Sequence, residues 1–247
     1  MKRKYLITLS LFTLLFFTSF TDWVDNKDNS VVVLELFTSQ GCSSCPSADV
    51  LLEKVSKEFT NDNVFALSYH VDYWNYIGWK DPFSKKEYTE KQRAYARKFR
   101  DNQIYTPAVI VNGKEHFVGS NRSKMYSKIR EYKNKSSKYA ISLGAKKKVA
   151  NSIQFNYTIN GTISNAKARV VLAIADRTTN VKRGENARRT LKNHNIVVNE
   201  MYVSALANTG NASVEIPEIV NNTDELNLFF ILENSQNDIL SAAKLDF

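Results

Sequence analysis

The stretch VVVLELFTSQGCSSCPSAD at positions 31–49 leaves this chain few folds to choose from. Positions 31–37 form an almost unbroken apolar, β-branched run, the pattern of a strand covered on both faces. Thr38, Ser39, Gln40 and Gly41 interrupt it. Cys42 and Cys45 follow, and then Pro46, whose fixed φ and missing N–H suit the first turn of a helix. Helical periodicity continues through Val50, Leu51, Leu52, Val55 and Phe59. A Cys-x-x-Cys alone says little, but one set between a buried strand and a helix start points to thiol chemistry. Unpaired N–H groups and the positive end of the helix dipole would stabilise a thiolate at Cys42. Cys42 is therefore expected as the solvent-reachable attacking thiol, and Cys45, one turn in, as the more buried resolving thiol.

The chain of 247 residues contains just these two cysteines, so no other disulfide can staple it. Its beginning reads as an export signal: a basic start at Lys2, Arg3 and Lys4, an uncharged and mostly apolar segment at 5–20, then polar Thr21 and Asp22. Residues 1–21 are expected to be a signal peptide and 22–30 a tether. A retained segment is the alternative, because Phe20 interrupts the small residues of the cleavage region. No cysteine follows the apolar segment to carry a lipid. Export to the periplasm or the extracellular space would let a disulfide persist. The formal net charge is +9, with three of the positive charges in that leader. The basic runs at 133–138 and 146–148 lack interleaved aromatics, so nucleic acid is not an expected partner.

Beyond the motif, 64–70 (VFALSYH) reads as a second buried strand, which makes a right-handed parallel crossover. Positions 71–84 (VDYWNYIGWKDPFS) are dense in aromatics and follow neither period, as in a functional loop. A helix is expected over 85–102, a strand over 108–111, a hairpin turn at Asn112-Gly113, a return strand over 115–118 and a helix over 124–133. After a polar linker come short runs at 139–145, 152–157, 168–175, 195–205, 212–216, 227–233 and 239–245. They read as a separate antiparallel β-sandwich-like domain. The expected class is α/β, with an N-terminal domain over 31–133 and a smaller β-rich domain over 139–247.

The order strand, helix, strand, helix, hairpin, helix is that of a thioredoxin-like domain. The chain resembles, more closely, an exported family of thioredoxin-like proteins known as a domain of unknown function. The resemblance is carried by ELFTSQGCSSCPSAD (35–49), YHVDYWNYIGWKDPFS (69–84), YTPAVIVNG (105–113), RGENARRTLKNHNIVV (183–198) and ILSAAKL (239–245). It implies the fold and a dithiol but supplies no substrate. It also implies a cis peptide at Thr106-Pro107, facing the dithiol, where a client strand would pair. X-Pro is the one bond for which cis is cheap.

Other candidates stay open at this level. Glu35 is a carboxylate in an apolar strand; it is either a raised-pKa proton acceptor for Cys45 or a solvent-facing edge residue. His70, at a strand end where α/β sites gather, would stabilise a thiolate, join the sulfurs as a metal ligand, or pack under the aromatic loop. Tyr73, Trp74, Tyr76 and Trp79 would wall a peptide site or a domain contact. His116 and His194 look isolated. Arg183, Glu185 and Asn186 would bridge the domains. Three function classes follow: a thiol–disulfide oxidoreductase with a client and a recycling partner, a soft-metal module on the same cysteines, or a binding protein whose disulfide only stiffens a loop. No cofactor pattern is present.

Overall fold

Seven consecutive residues of the motif's strand are buried on both sides, and the rest of the chain layers itself around them. A computed structural model describes residues 29–246. The expected signal peptide and most of the tether lie outside the described residues. Strand β1 (Val32–Thr38) leads through the cysteine turn into helix α1 (Pro46–Glu58), and β2 (Val64–His70) returns parallel to β1. The aromatic loop follows, then α2 (Lys86–Phe99), β3 (Ala108–Val111), β4 (Glu115–Val118) and α3 (Arg122–Lys133). Asn112 and Gly113 turn β3 into β4 with φ of 48° and 68°. Two consecutive positive φ angles make the twist-matched hairpin turn. Each of these elements stands where its residue pattern placed it.

The second half holds seven strands: β5 (Ala140–Val149), β6 (Ser152–Asn160), β7 (Ala166–Asn180), β8 (Thr190–Tyr202), β9 (Thr209–Glu215), β10 (Leu226–Asn234) and β11 (Ile239–Asp246). They do not build a domain of their own. Four of them continue the first sheet, giving eight strands in the order β11-β10-β7-β8-β2-β1-β3-β4, while β5, β6 and β9 form a separate sheet of three. The physical reason lies in β7 and β10. Val170–Ile174 and Leu226–Leu232 are buried residue after residue, not alternately. Such strands need cover on both faces and sit inside a sheet. The seam between the halves is β2 against β8, which run parallel at Ser68 and Ile196. Side chains reinforce it: Asn195 Nδ2 donates to the Ala66 carbonyl at 2.9 Å and Ser68 Oγ to the His194 carbonyl at 2.8 Å.

One face of the large sheet is covered by α2. Phe37, Leu67, Tyr69, Val171, Val197 and Phe229 share a core with Tyr88 and Tyr95 of that helix. The other face is divided. Helices α1 and α3 cover its β1 end, through Leu34, Leu36, Leu52, Met125 and Ile129. The small sheet covers its β7–β10 end, where Ile153, Phe155 and Tyr157 meet Val170, Leu172 and Phe230. The architecture is mixed α/β, with the sandwich-like half sharing its main sheet with the dithiol half. Among the described residues no helix is long and apolar enough to cross a membrane.

Candidate dithiol site

At the end of β1 the chain turns twice before the helix begins. Gly41 N–H donates to Ser39 Oγ at 3.0 Å, Cys42 N–H to the Ser39 carbonyl and Cys45 N–H to the Cys42 carbonyl, both at 3.2 Å. Helix α1 starts at Pro46 with Cys45 as its cap residue. The amides of Ala48 and Asp49 both donate to the Cys45 carbonyl. Cys42 thus lies a full turn ahead of the helix, not in its first turn as the sequence suggested. The two cysteines are joined as a disulfide with Cα atoms 5.4 Å apart.

Both cysteines are wholly buried, at 0% exposure each. The expectation of an open Cys42 over a buried Cys45 is therefore corrected: the two differ in surroundings, not in access. Cys42 borders the exposed Ser43 and Ser44. Cys45 shares the inward face of α1 with Ala48, Asp49 and Leu52, all buried, and residues four apart on a helix are neighbours.

Two loops make the cover. The aromatic loop lays Trp74 and Ile77 on Gly41, where a Cβ would come within 3.2 Å of each. The tip of the β7–β8 hairpin closes the rest. Asn186 Nδ2 donates to the carbonyls of Gln40 and Cys42, both at 2.9 Å, and Glu185 Oε2 accepts from the Ser43 N–H at 2.9 Å. Hydrogen bonding from Ser43 holds the exposed Glu185 carboxyl below its usual range. Gly184 packs on Ile77 and Trp79. The bridging expected of Glu185 and Asn186 exists, and its target is the cysteine turn itself.

Against the cysteine turn lies a buried polar cluster, joined to it at the Gln40 N–H. His70 Nδ1 and Asp81 Oδ2 are 2.7 Å apart and neither side chain is exposed. Asp81 Oδ2 also accepts the Gln40 N–H at 2.8 Å, and Gln40 Nε2 donates to Asn193 Oδ1 at 3.1 Å. Thr38 Oγ1 donates to Asp49 Oδ2 at 3.2 Å. Two atoms are left without a partner: Asp49 Oδ1 and His70 Nε2. Burial pushes the Asp49 carboxyl up to about 7, partly offset by His70. Burial opposes charge on His70, but the Asp81 carboxylate outweighs it and raises its pKa above the ordinary value.

Glu35 has a different place from either one considered for it. It is fully buried, and Oε1 accepts from Arg169 Nη2 at 2.9 Å while Oε2 accepts from Tyr95 at 2.6 Å. It faces α2, on the side of the sheet away from α1. An arginine from β7 occupies it, so it is not an idle acid behind the sulfurs. The buried acids on the cysteine side are Asp81, paired with His70, and Asp49; Asp49 is the one that shares α1 with Cys45. The signal for Asp49 was its position, four residues after Cys45 within the apolar stripe of α1.

The Thr106-Pro107 peptide is cis. Trp74 Nε1 donates to Thr106 Oγ1 at 2.7 Å, which ties the aromatic loop to the proline turn. At Gly119 a Cβ would meet Leu36 Cδ1 at 2.8 Å, Ala48 Cβ at 3.2 Å and Pro107 Cβ at 3.3 Å, so Pro107 and α1 close on the same glycine. His116 stacks on Phe99. His194 is not isolated: Nδ1 lies 3.0 Å from Asp176 Oδ1 and Nε2 lies 2.9 Å from Ser56 Oγ. That order of groups resembles a hydrolytic triad, but Ser56 is within α1, whose amides are spent on the helix ladder and cannot hold an oxyanion. The grouping fastens α1 to the β7–β8 hairpin. Among the described residues no group of three or more His, Cys, Asp and Glu is arranged to hold a metal.

Comparison with known proteins agrees with this outline. No curated protein matches the chain. A solved structure of protein AGR_C_4864 from Agrobacterium tumefaciens is 30% identical, covers 87% of this chain and 94% of its own, and superposes with a TM-score of 0.65. A DUF3823 family protein from Bacteroides ovatus is 19% identical over 44% of this chain and 52% of its own; its TM-score of 0.28 supports no argument about fold. Residues 33–232 match the family described as Protein of unknown function (DUF1223), a span that includes the cysteine turn, both covering loops and the buried cluster, and the chain belongs to that family.

Proposed function

We propose that this protein is a thiol–disulfide oxidoreductase whose first half works as a thioredoxin-like unit outside the cytoplasm. The observation that carries the reading is the Cys42–Cys45 disulfide at a strand-to-helix turn, one helical turn from the buried Asp49 carboxyl, which lacks a hydrogen-bond partner for one oxygen. Buried polar atoms are nearly always paired, and an exception calls for a reason. A thiol at Cys45, present only after reduction, supplies one.

The exchange balances without further reagents. A client thiol gives its proton to solvent, and its sulfur attacks Cys42 Sγ. The Cys42–Cys45 bond breaks, and Cys45 leaves as a thiolate that takes the proton from the Asp49 carboxyl. The second client thiol deprotonates and attacks the client sulfur of the mixed disulfide, and Cys42 leaves. The client ends oxidised, the pair reduced, and two electrons have moved. With a pKa of about 7, Asp49 can give or take that proton near neutrality. Read backwards, the same steps reduce a client disulfide, and a separate dithiol or disulfide partner would reset the pair.

The decisive experiment is trapping. In the reduced protein, Cys45→Ser should accumulate mixed disulfides through Cys42, while Cys42→Ser should accumulate none. Cys42 should also alkylate with a midpoint below the roughly 8.5 of a free cysteine. A normal Cys42 midpoint together with no trapped species from either variant would remove the proposal.

A further inference from the structure

We propose that the tip of the β7–β8 hairpin is a docking platform for acidic clients, polypeptides that carry carboxylates beside their reactive cysteine. The inference rests on the exchange reading above and names its substrate class.

Two independent observations lead there. The first is the seat that Glu185 fills. Its exposed carboxylate accepts the Ser43 N–H, between the two cysteines. A carboxylate from a client aligned along the cysteine turn would want the same donor, and Glu185 holds it in the closed state. The protein already carries an acidic occupant of its own.

The second is the charge around that seat. Lys182, Arg183 and Arg188 on the tip are exposed. No ion pair engages them among the described residues, whereas many other lysines of the chain, such as Lys91, Lys98, Lys128 and Lys133, do pair with acids. Lys80 is exposed next to Trp79, whose Cβ lies against Gly184 of the tip. The sole acid on the tip, Glu185, is spent on Ser43. Unpaired cations of one sign raise the local concentration and arrival rate of anionic partners.

The platform is also wired to the cover. Arg189 Nη1 donates to Asn186 Oδ1 at 2.7 Å, and the same Asn186 holds the Gln40 and Cys42 carbonyls. A client carboxylate that draws Arg189 away loosens the side chain that seals Cys42. Docking and opening are thereby one event, which a site with both sulfurs buried requires.

The test compares two reduced dithiol peptides of one length, flanked by glutamates in one and by lysines in the other. Each is mixed with the full oxidised protein at low salt and at high salt. The acidic peptide should react at least about 10-fold faster at low salt, and the gap should shrink once salt screens the charges. The Lys182→Glu, Arg183→Glu, Arg188→Glu variant, altered only at exposed side chains, should reverse the preference. Equal rates, a preference for the basic peptide, or a preference indifferent to salt would overturn the inference while leaving the exchange reading in place. Failure of both peptides to react at all would overturn both.

Discussion

Two sets of buried charges lie on opposite faces of the same sheet, and they follow opposite rules. On the α2 face, Arg169 donates to Glu233, Tyr69, Glu200 and Glu35, with Lys91 and Lys167 completing a set of three cations and three carboxylates. On the α1 face, His70 pairs with Asp81, Thr38 donates to Asp49, and Asp49 Oδ1 and His70 Nε2 have no partner. The carboxyls record the difference. Burial alone would raise Glu200, but Lys91 and Arg169 hold it at about 2, whereas burial carries Asp49 to about 7. A saturated cluster fixes geometry. An unsaturated one leaves a buried carboxyl whose pKa lies near neutrality, one helical turn from Cys45.

The largest effect should come from breaking the saturated set. Arg169→Ala strands three buried carboxylates and should cost roughly 3–5 kcal/mol in urea unfolding, enough to unfold a marginal chain. A loss under 1 kcal/mol would mean that water enters the cluster and the contrast is false.

Asp49→Asn should act in the other direction. An acid with a raised folded pKa costs nothing below the unfolded value near 3.8, and its cost grows as pH climbs to about 7. The variant should therefore gain roughly 2–4 kcal/mol at pH 7.5 and almost nothing at pH 3.5. Exchange should slow by about 10²-fold or more and lose its pH dependence near 7. Equal stability gains at both pH values would show that the carboxyl is not held neutral. Glu200 provides the mirror image: its stabilisation is present above 4.5 and lost as pH falls toward 2.

The smallest effect sharpens the boundary between the clusters. Tyr95→Phe removes one hydrogen bond to Glu35 and should cost about 1 kcal/mol, with dithiol exchange rates unchanged. A changed exchange pH profile would connect the two faces and restore a redox role to Glu35.

What the sequence revealed divides along lines of distance. Local order was legible: the buried strand, the cysteine turn, the Asn112-Gly113 hairpin and the strand after Thr106-Pro107 each depend on residues next to one another. The fate of Glu35 was not, because its partner Arg169 lies 134 residues away. Asp49 was hidden by an ordinary role, since acids are common in first helical turns. Here the acid also falls on the stripe shared with Cys45, and that spacing was the available clue. The C-terminal strands were found but assigned to their own sandwich. The run RVVLAIA at 169–175 is apolar without alternation, which already marked an interior strand.

The shared sheet has a consequence for how the chain is made. Once residue 70 has emerged, β2 presents a bare apolar edge, and the strand that covers it, β8, is complete only at Tyr202. At typical synthesis speeds the gap is on the order of ten seconds. An open edge of that kind invites pairing with other chains. The nascent protein therefore has a vulnerable interval before the joint between its halves exists, and chaperone demand should concentrate there. A truncation that ends before β8 would make the interval permanent.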